Sequence, residues 1–107
     1  MTDKTQALQR LLEAVEAGRV GQFRNLDSEF GHGNGIHAKR AYNGSLDAAK
    51  ALHEAMLPGW EFKIGLTNAV VFLRTHKDND PQHSGMSEVS ARAWLLAIIR
   101  AVMAGER

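Results

Sequence analysis

The sequence predicts an α+β domain: a small antiparallel sheet with a β-hairpin at its core, layered with helices. Three observations carry this. Leu8, Leu11, Leu12 and Val15 recur at i, i+3, i+4 and i+7, one face of a helix. Trp60-Glu61-Phe62-Lys63-Ile64 alternates apolar and polar, and an apolar, β-branched run follows at residues 69–74. Leu95, Ile98, Ile99, Val102 and Met103 make the apolar face of a final helix. The expected order is helix, helix or loop, helix, strand, strand, helix.

The first helix is expected over residues 4–17. Asp3 stands where an N-cap belongs, Gln6 follows it in capping-box spacing, and Gly18 is a natural stop. In residues 19–30, Val20, Phe23, Leu26 and Phe30 have near-helical spacing, interrupted by Gly21, Asn25 and Asp27. That segment reads equally as a short helix or an irregular packed stretch. Gly31 to Gly35 spell GHGNG, a loop with little intrinsic rigidity. Residues 36–42 read as a short strand or an extended connection.

Asn43-Gly44 marks a turn, Ser45 caps the next helix, and Asp47 suits the positive end of its dipole. Leu46, Ala49, Leu52 and Met56 form its stripe, and Pro58-Gly59 ends it. The two strands then pair antiparallel around a connection at residues 65–68. Residues 75–87 read as a polar loop, and Ser87 with Glu88 as the start of the last helix, which Gly105 ends. Two strands make a poor sheet. A third is expected either from residues 30–42 or from a second chain, so a homo-oligomer formed partly through the sheet is expected.

At 107 residues the chain has room for one domain, spanning 1–107, with an N-terminal helical segment (1–30) and a core at 41–105. With 44% hydrophobic and 23% charged residues it belongs to the globular class. A net charge of +1 gives no large field, which argues against nucleic acid as a partner. The absence of cysteine excludes disulfides, thiolate nucleophiles and cysteine-based zinc sites, and fits a cytoplasmic setting. MTDKTQALQR is too polar for a secretory signal, and no apolar run approaches the roughly 20 residues of a membrane helix.

From Ala41 onward a further pattern is visible. Tyr42 precedes a Ser45-capped helix carrying Asp47, Ala48, Ala49 and Leu52. Trp60 opens the first strand, and Ala91, Ala93, Leu96 and Ala97 lie in the last helix. This resembles small phage and prophage proteins carrying the phage ABA sandwich domain, over about two-thirds of the chain. The resemblance implies a helix–sheet–helix fold and a phage origin. Its motifs are structural, so it carries over no active site and no cofactor.

Three groups of residues are candidate sites. His32, Asn34, His37, Lys39, Arg40 and Tyr42 place basic side chains beside glycine-rich backbone, whose N–H groups suit an anion. Lys39 and Arg40 suit phosphates, and Tyr42 suits stacking on a base. The plainer reading is a surface loop, a solvated basic pair and a Tyr42 packed under the helix. No Gly-Lys-Ser/Thr ending follows, so GHGNG is not a P-loop. The second group is His76, Lys77, Asp78, Asp80 and His83, whose spacing fits neither zinc nor calcium; no metal is expected. The third is Arg92, read either with the N–H groups of Ser90 and Ala91 on an anion, or paired with Glu88. His53 reads as a half-buried packing histidine, and Trp60 and Trp94 as core or interface aromatics.

No nucleophile motif or carboxylate pair stands in a recognisable setting. The expectation is therefore a non-enzymatic phage or prophage accessory protein that acts by binding. The counter-defence form of that expectation is sequestration of a nucleotide-type immune signal or blockade of a host defence protein. The alternatives are a structural or assembly protein of the phage particle, and a small enzyme using His32 or His37.

Overall fold

Seven elements account for most of the residues placed by the computed structural model, which describes residues 3–17, 30, 33–72 and 82–105. They are α1 (Asp3–Ala17), α2 (Gly35–Tyr42), α3 (Leu46–Met56), β1 (Glu61–Ile64), β2 (Asn68–Phe72), β3 (Gln82–Met86) and α4 (Ser90–Gly105). The fold is α+β, with a three-stranded antiparallel sheet in the order β1-β2-β3. The expectations for residues 19–29, for His32, for residues 73–81 and for the side chain of Asp3 lie outside the described residues.

Apolar periodicity dictates α1 and α4. Leu8, Leu12 and Val15 are buried on one face of α1. In α4, Ala91, the run from Ala93 to Ile99, Ala101 and Val102 are all buried. A helix that is apolar nearly all round must be covered nearly all round. α4 accordingly packs on β2 and β3 with one side and on α1, α2 and α3 with the others. Full burial of a side chain such as Ile98 or Leu96 contributes about 1.5–3 kcal/mol relative to exposure, so this helix is the core of the molecule.

The structure differs from the sequence expectation in two places. Residues 36–42 are neither a strand nor an extended connection but the body of α2. Ala38, Ala41 and Tyr42 are buried at i, i+3 and i+4, a helical face built of small residues that leaves a weak hydrophobic signal. The third strand comes from Gln82–Met86, inside the segment read as a loop, so the sheet is completed without a second chain. Only Gly85 of that strand is buried. An edge strand covered this little has no alternating pattern to read. The strand approaches α4 closely: a Cβ at Gly85 would collide with the Ala93 carbonyl oxygen.

The last helix also begins later than Ser87. The Ser87 hydroxyl accepts from the Val89 N–H at 3.2 Å, forming a turn before Ser90.

The β-register sorts the sheet into two faces. Phe62, Val71 and His83 form one row and Ile64, Ala69 and Gly85 the next, all on the face toward α4. Glu61, Phe72 and Gln82, and Lys63, Val70 and Ser84, form the outer rows. Ala69 and Val71 are fully buried, whereas Met86 on the outer face is 76% exposed. Among the described residues no helix covers that outer face.

Candidate functional site

The first candidate group lies where α2 hands over to α3. Helix α2 ends in a Schellman arrangement: Ser45 N–H donates to the Arg40 carbonyl at 2.9 Å, and Gly44 N–H to that of Ala41 at 3.0 Å. Gly44 sits at φ +105°, a conformation that a Cβ disfavours. Ser45 then serves the next helix, its hydroxyl accepting from Ala48 N–H at 3.1 Å, as its place in the sequence predicts. The two helices are thereby joined through a turn of fixed geometry. The Asn43 N–H donates to the Lys39 carbonyl at 3.1 Å, which adds to the backbone pairing of this turn.

Arg92 reaches the end of α2 at Tyr42. Its Nε donates to the Tyr42 carbonyl at 2.6 Å, and its guanidinium carbon lies 4.1 Å from the centroid of the Tyr42 ring. Tyr42 is buried. Neither side chain therefore adopts the role read for it in ligand binding: the Tyr42 ring is covered by Arg92, and Arg92 holds α2 and α4 together rather than pairing with Glu88.

Lys39 and Arg40 remain on the solvent side. Both are exposed in the last turn of α2, and with Ile36, Asn43 and Ser45 they line a depression of about 410 Å³. Among the described residues neither has a carboxylate partner. The depression lies between these cations and the N-terminal end of α3, where N–H groups also favour negative charge. His37 is half-buried on the same helix. Asn34 is turned inward, its amide nitrogen donating to the Phe30 carbonyl at 2.9 Å, so it braces the start of α2. The structure therefore brings Lys39 and Arg40 together, with His37 nearby, and assigns Asn34, Tyr42 and Arg92 internal contacts. Ile36, half exposed, also stands at this rim, and no sequence signal marks it because residues 36–42 lack a strong helical apolar period.

A second cluster surrounds His53, which is fully buried rather than half-buried. Pro58 and Gly59, the latter at φ +84°, form a type II turn closed by Trp60 N–H on the Leu57 carbonyl at 3.0 Å. That turn delivers the Trp60 carbonyl to His53 Nε2 at 2.9 Å, while Trp94 Nε1–H donates to His53 Nδ1 at 3.3 Å. Phe62 packs on both rings, 4.5 Å from Trp94 and 5.1 Å from His53 between centroids. Every polar atom of the imidazole is engaged, which makes His53 a core polar link.

Of the second sequence candidate, His83 lies in β3 with its ring 6.0 Å from Trp60. His76, Lys77, Asp78 and Asp80 lie outside the described residues. No group of three or more histidines and carboxylates is poised for a metal among the described residues. No described helix is long and apolar enough to cross a membrane.

What these features define is a small α+β domain whose helical corner presents two adjacent cations over a shallow depression. No protein-family model, curated protein or solved structure matches the chain.

Proposed function

We propose that the chain is a non-enzymatic binding protein whose α2–α3 corner takes a phosphate-bearing, nucleotide-type ligand. The observation that carries this is the exposed pair Lys39 and Arg40, side by side over one depression and without a carboxylate partner among the described residues. Lysine supplies a point charge and arginine a planar two-pronged donor, a combination that suits phosphate. The half-exposed Ile36 offers an apolar surface to a base, a role the covered Tyr42 ring does not fill. In the phage or prophage setting implied by the resemblance, the ligand is an immune signal of the host, sequestered in the host cytoplasm.

Calorimetric titration with a panel of nucleotides and inorganic phosphate tests this. Charge-assisted hydrogen bonds contribute about 1.5–3 kcal/mol each. Lys39→Ala with Arg40→Ala should therefore weaken binding at least about a hundredfold, with an unchanged melting temperature. Absence of binding by the unaltered protein across the panel, or equal binding by the double variant, would overturn the assignment.

A second reading, a structural or assembly protein of the phage particle, draws on the outer sheet face. Val70 and Phe72 are only partly buried there, and Met86 and the neighbouring hairpin residue Leu66 are exposed. Co-purification with virions, together with failure to bind any phosphorylated ligand, would favour it.

A further inference from the structure

The two edges of the sheet differ. Gly65 N–H donates to the Asn68 carbonyl at 2.8 Å, which sets the phase of the β1–β2 ladder. In an antiparallel pair the residues alternate between exchanging both backbone bonds with the partner and turning both groups away. Lys63 and Glu61 therefore face Val70 and Phe72, while Phe62 and Ile64 aim N–H and C=O at the free edge of β1. The same phase runs through β2 to β3, where Ser87 N–H meets the Thr67 carbonyl and Ser84 faces outward. On that side Arg100 donates to the Ser84 carbonyl and, at 2.9 Å, to Glu16 of α1, so the β3 edge is plugged. Among the described residues nothing takes the outward N–H and C=O of Phe62.

An open edge is a template for another strand, and β1 is complementary to itself. We infer that two copies of this chain associate through their β1 edges, antiparallel about a two-fold axis at Phe62, into one six-stranded sheet. In this register Phe62 stands opposite Phe62 of the second copy and exchanges both backbone bonds with it. Glu61 stands opposite Lys63 of the second copy, and Lys63 opposite its Glu61. Opposite charges and paired aromatics are both favoured across strands. Sliding by two residues brings Lys63 against Lys63 or Glu61 against Glu61, which is disfavoured. Sliding by one turns the apolar face outward.

Two further observations fit this occupant. Phe62 is 40% exposed although its ring lies against Trp94 and His53, so part of an inward-facing aromatic is left uncovered. A groove of about 490 Å³ runs over Trp60, Glu61, Phe62, Lys63 and Phe72, side chains from both faces of the sheet, so it straddles the edge. Glu61 already makes a contact within its own subunit. A carboxylate accepts several donors, so Lys63 of the second copy adds to that contact rather than replacing it. Trp60 N–H is held by Leu57 and its carbonyl by His53, which confines the new pairing to Glu61–Lys63. So short a ladder makes a weak, concentration-dependent dimer.

Sedimentation equilibrium over a concentration series into the millimolar range is the test. The unaltered protein should show a monomer–dimer equilibrium. Lys63→Glu places carboxylates opposite each other twice per dimer and should raise the dissociation constant at least about tenfold. Glu61→Lys combined with Lys63→Glu restores the complementarity and should restore the affinity. Melting temperatures check that each variant folds. If the single variant does not fold, isotope-filtered NMR on a mixture of labelled and unlabelled unaltered protein reads the same contact, as a cross-peak between the two Phe62 rings. A monomer at every concentration, a dimer indifferent to Lys63→Glu, or a dimer lacking that cross-peak would each overturn the inference.

Discussion

The guanidinium of Arg92 lies across the ring of Tyr42 at 4.1 Å and donates to that residue's own carbonyl at 2.6 Å, although the two are 50 residues apart in the chain. One side chain thus terminates α2, covers its last aromatic and ties it to the central helix. Arg92→Ala removes a charged hydrogen bond of about 1.5–3 kcal/mol and a cation–π contact of about 0.5–1 kcal/mol. We expect a loss of roughly 2–3 kcal/mol in urea unfolding, with Arg92→Lys recovering part of it. A variant as stable as the unaltered protein would mean that the carbonyl finds water instead.

The indole of Trp94 can only donate, so His53 Nδ1 carries no proton and Nε2 carries the one given to the Trp60 carbonyl. Nitrogen-15 NMR of the imidazole should show this Nε2–H tautomer as the single neutral form. His53→Leu leaves the Trp94 N–H without its acceptor and should cost about 1–3 kcal/mol. Observation of the other tautomer would contradict the arrangement.

Gly85 is required by space and not by backbone conformation. An added Cβ collides with the Ala93 carbonyl oxygen and meets Leu96 Cβ at 2.6 Å and the Ala97 nitrogen at 2.9 Å. Backbone atoms of a buried helix cannot step aside, so Gly85→Ala should destabilise by about 1–3 kcal/mol or more through overpacking. Gly33→Ala is the contrasting control: at φ +84° with nothing within 4 Å, it should cost only about 1–2 kcal/mol of backbone strain. Equal urea midpoints for Gly85→Ala and the unaltered protein would show that β3 does not sit against α4 as described.

Arg100 and Glu16 form a half-exposed ion pair, so Glu16→Ala should cost no more than about 1 kcal/mol and the effect should fade in high salt. Arg100→Ala should cost more, because it also strips the Ser84 carbonyl and opens the β3 edge. Thermal melts at low and high salt separate the two. Equal costs for both variants would mean that the strand contact contributes nothing.

Much of the fold was legible locally. Leu8, Leu12 and Val15 are buried on the face that their spacing marks, Ser45 caps the helix it precedes, and the alternating stretch at 60–64 contains the strand Glu61–Ile64. What escaped reading lacked local pattern. Gln82–Met86 buries a single glycine, and α2 advertises itself only by two alanines and a tyrosine. At the candidate site the adjacency of Lys39 and Arg40 was plain from the sequence. That Asn34 turns inward, that Tyr42 lies beneath Arg92 and that Ile36 borders the depression were not.

The sequence by itself determined the class of fold, the helices with strong apolar periodicity, the hairpin and the caps. Each of these depends on neighbours within a turn or two of the chain. Only the tertiary structure decided which strand completes the sheet, which edge Arg100 reaches, and whether an arginine faces solvent or a carbonyl. Those outcomes depend on which backbone atoms lie opposite one another after packing, and no spacing along the chain encodes that.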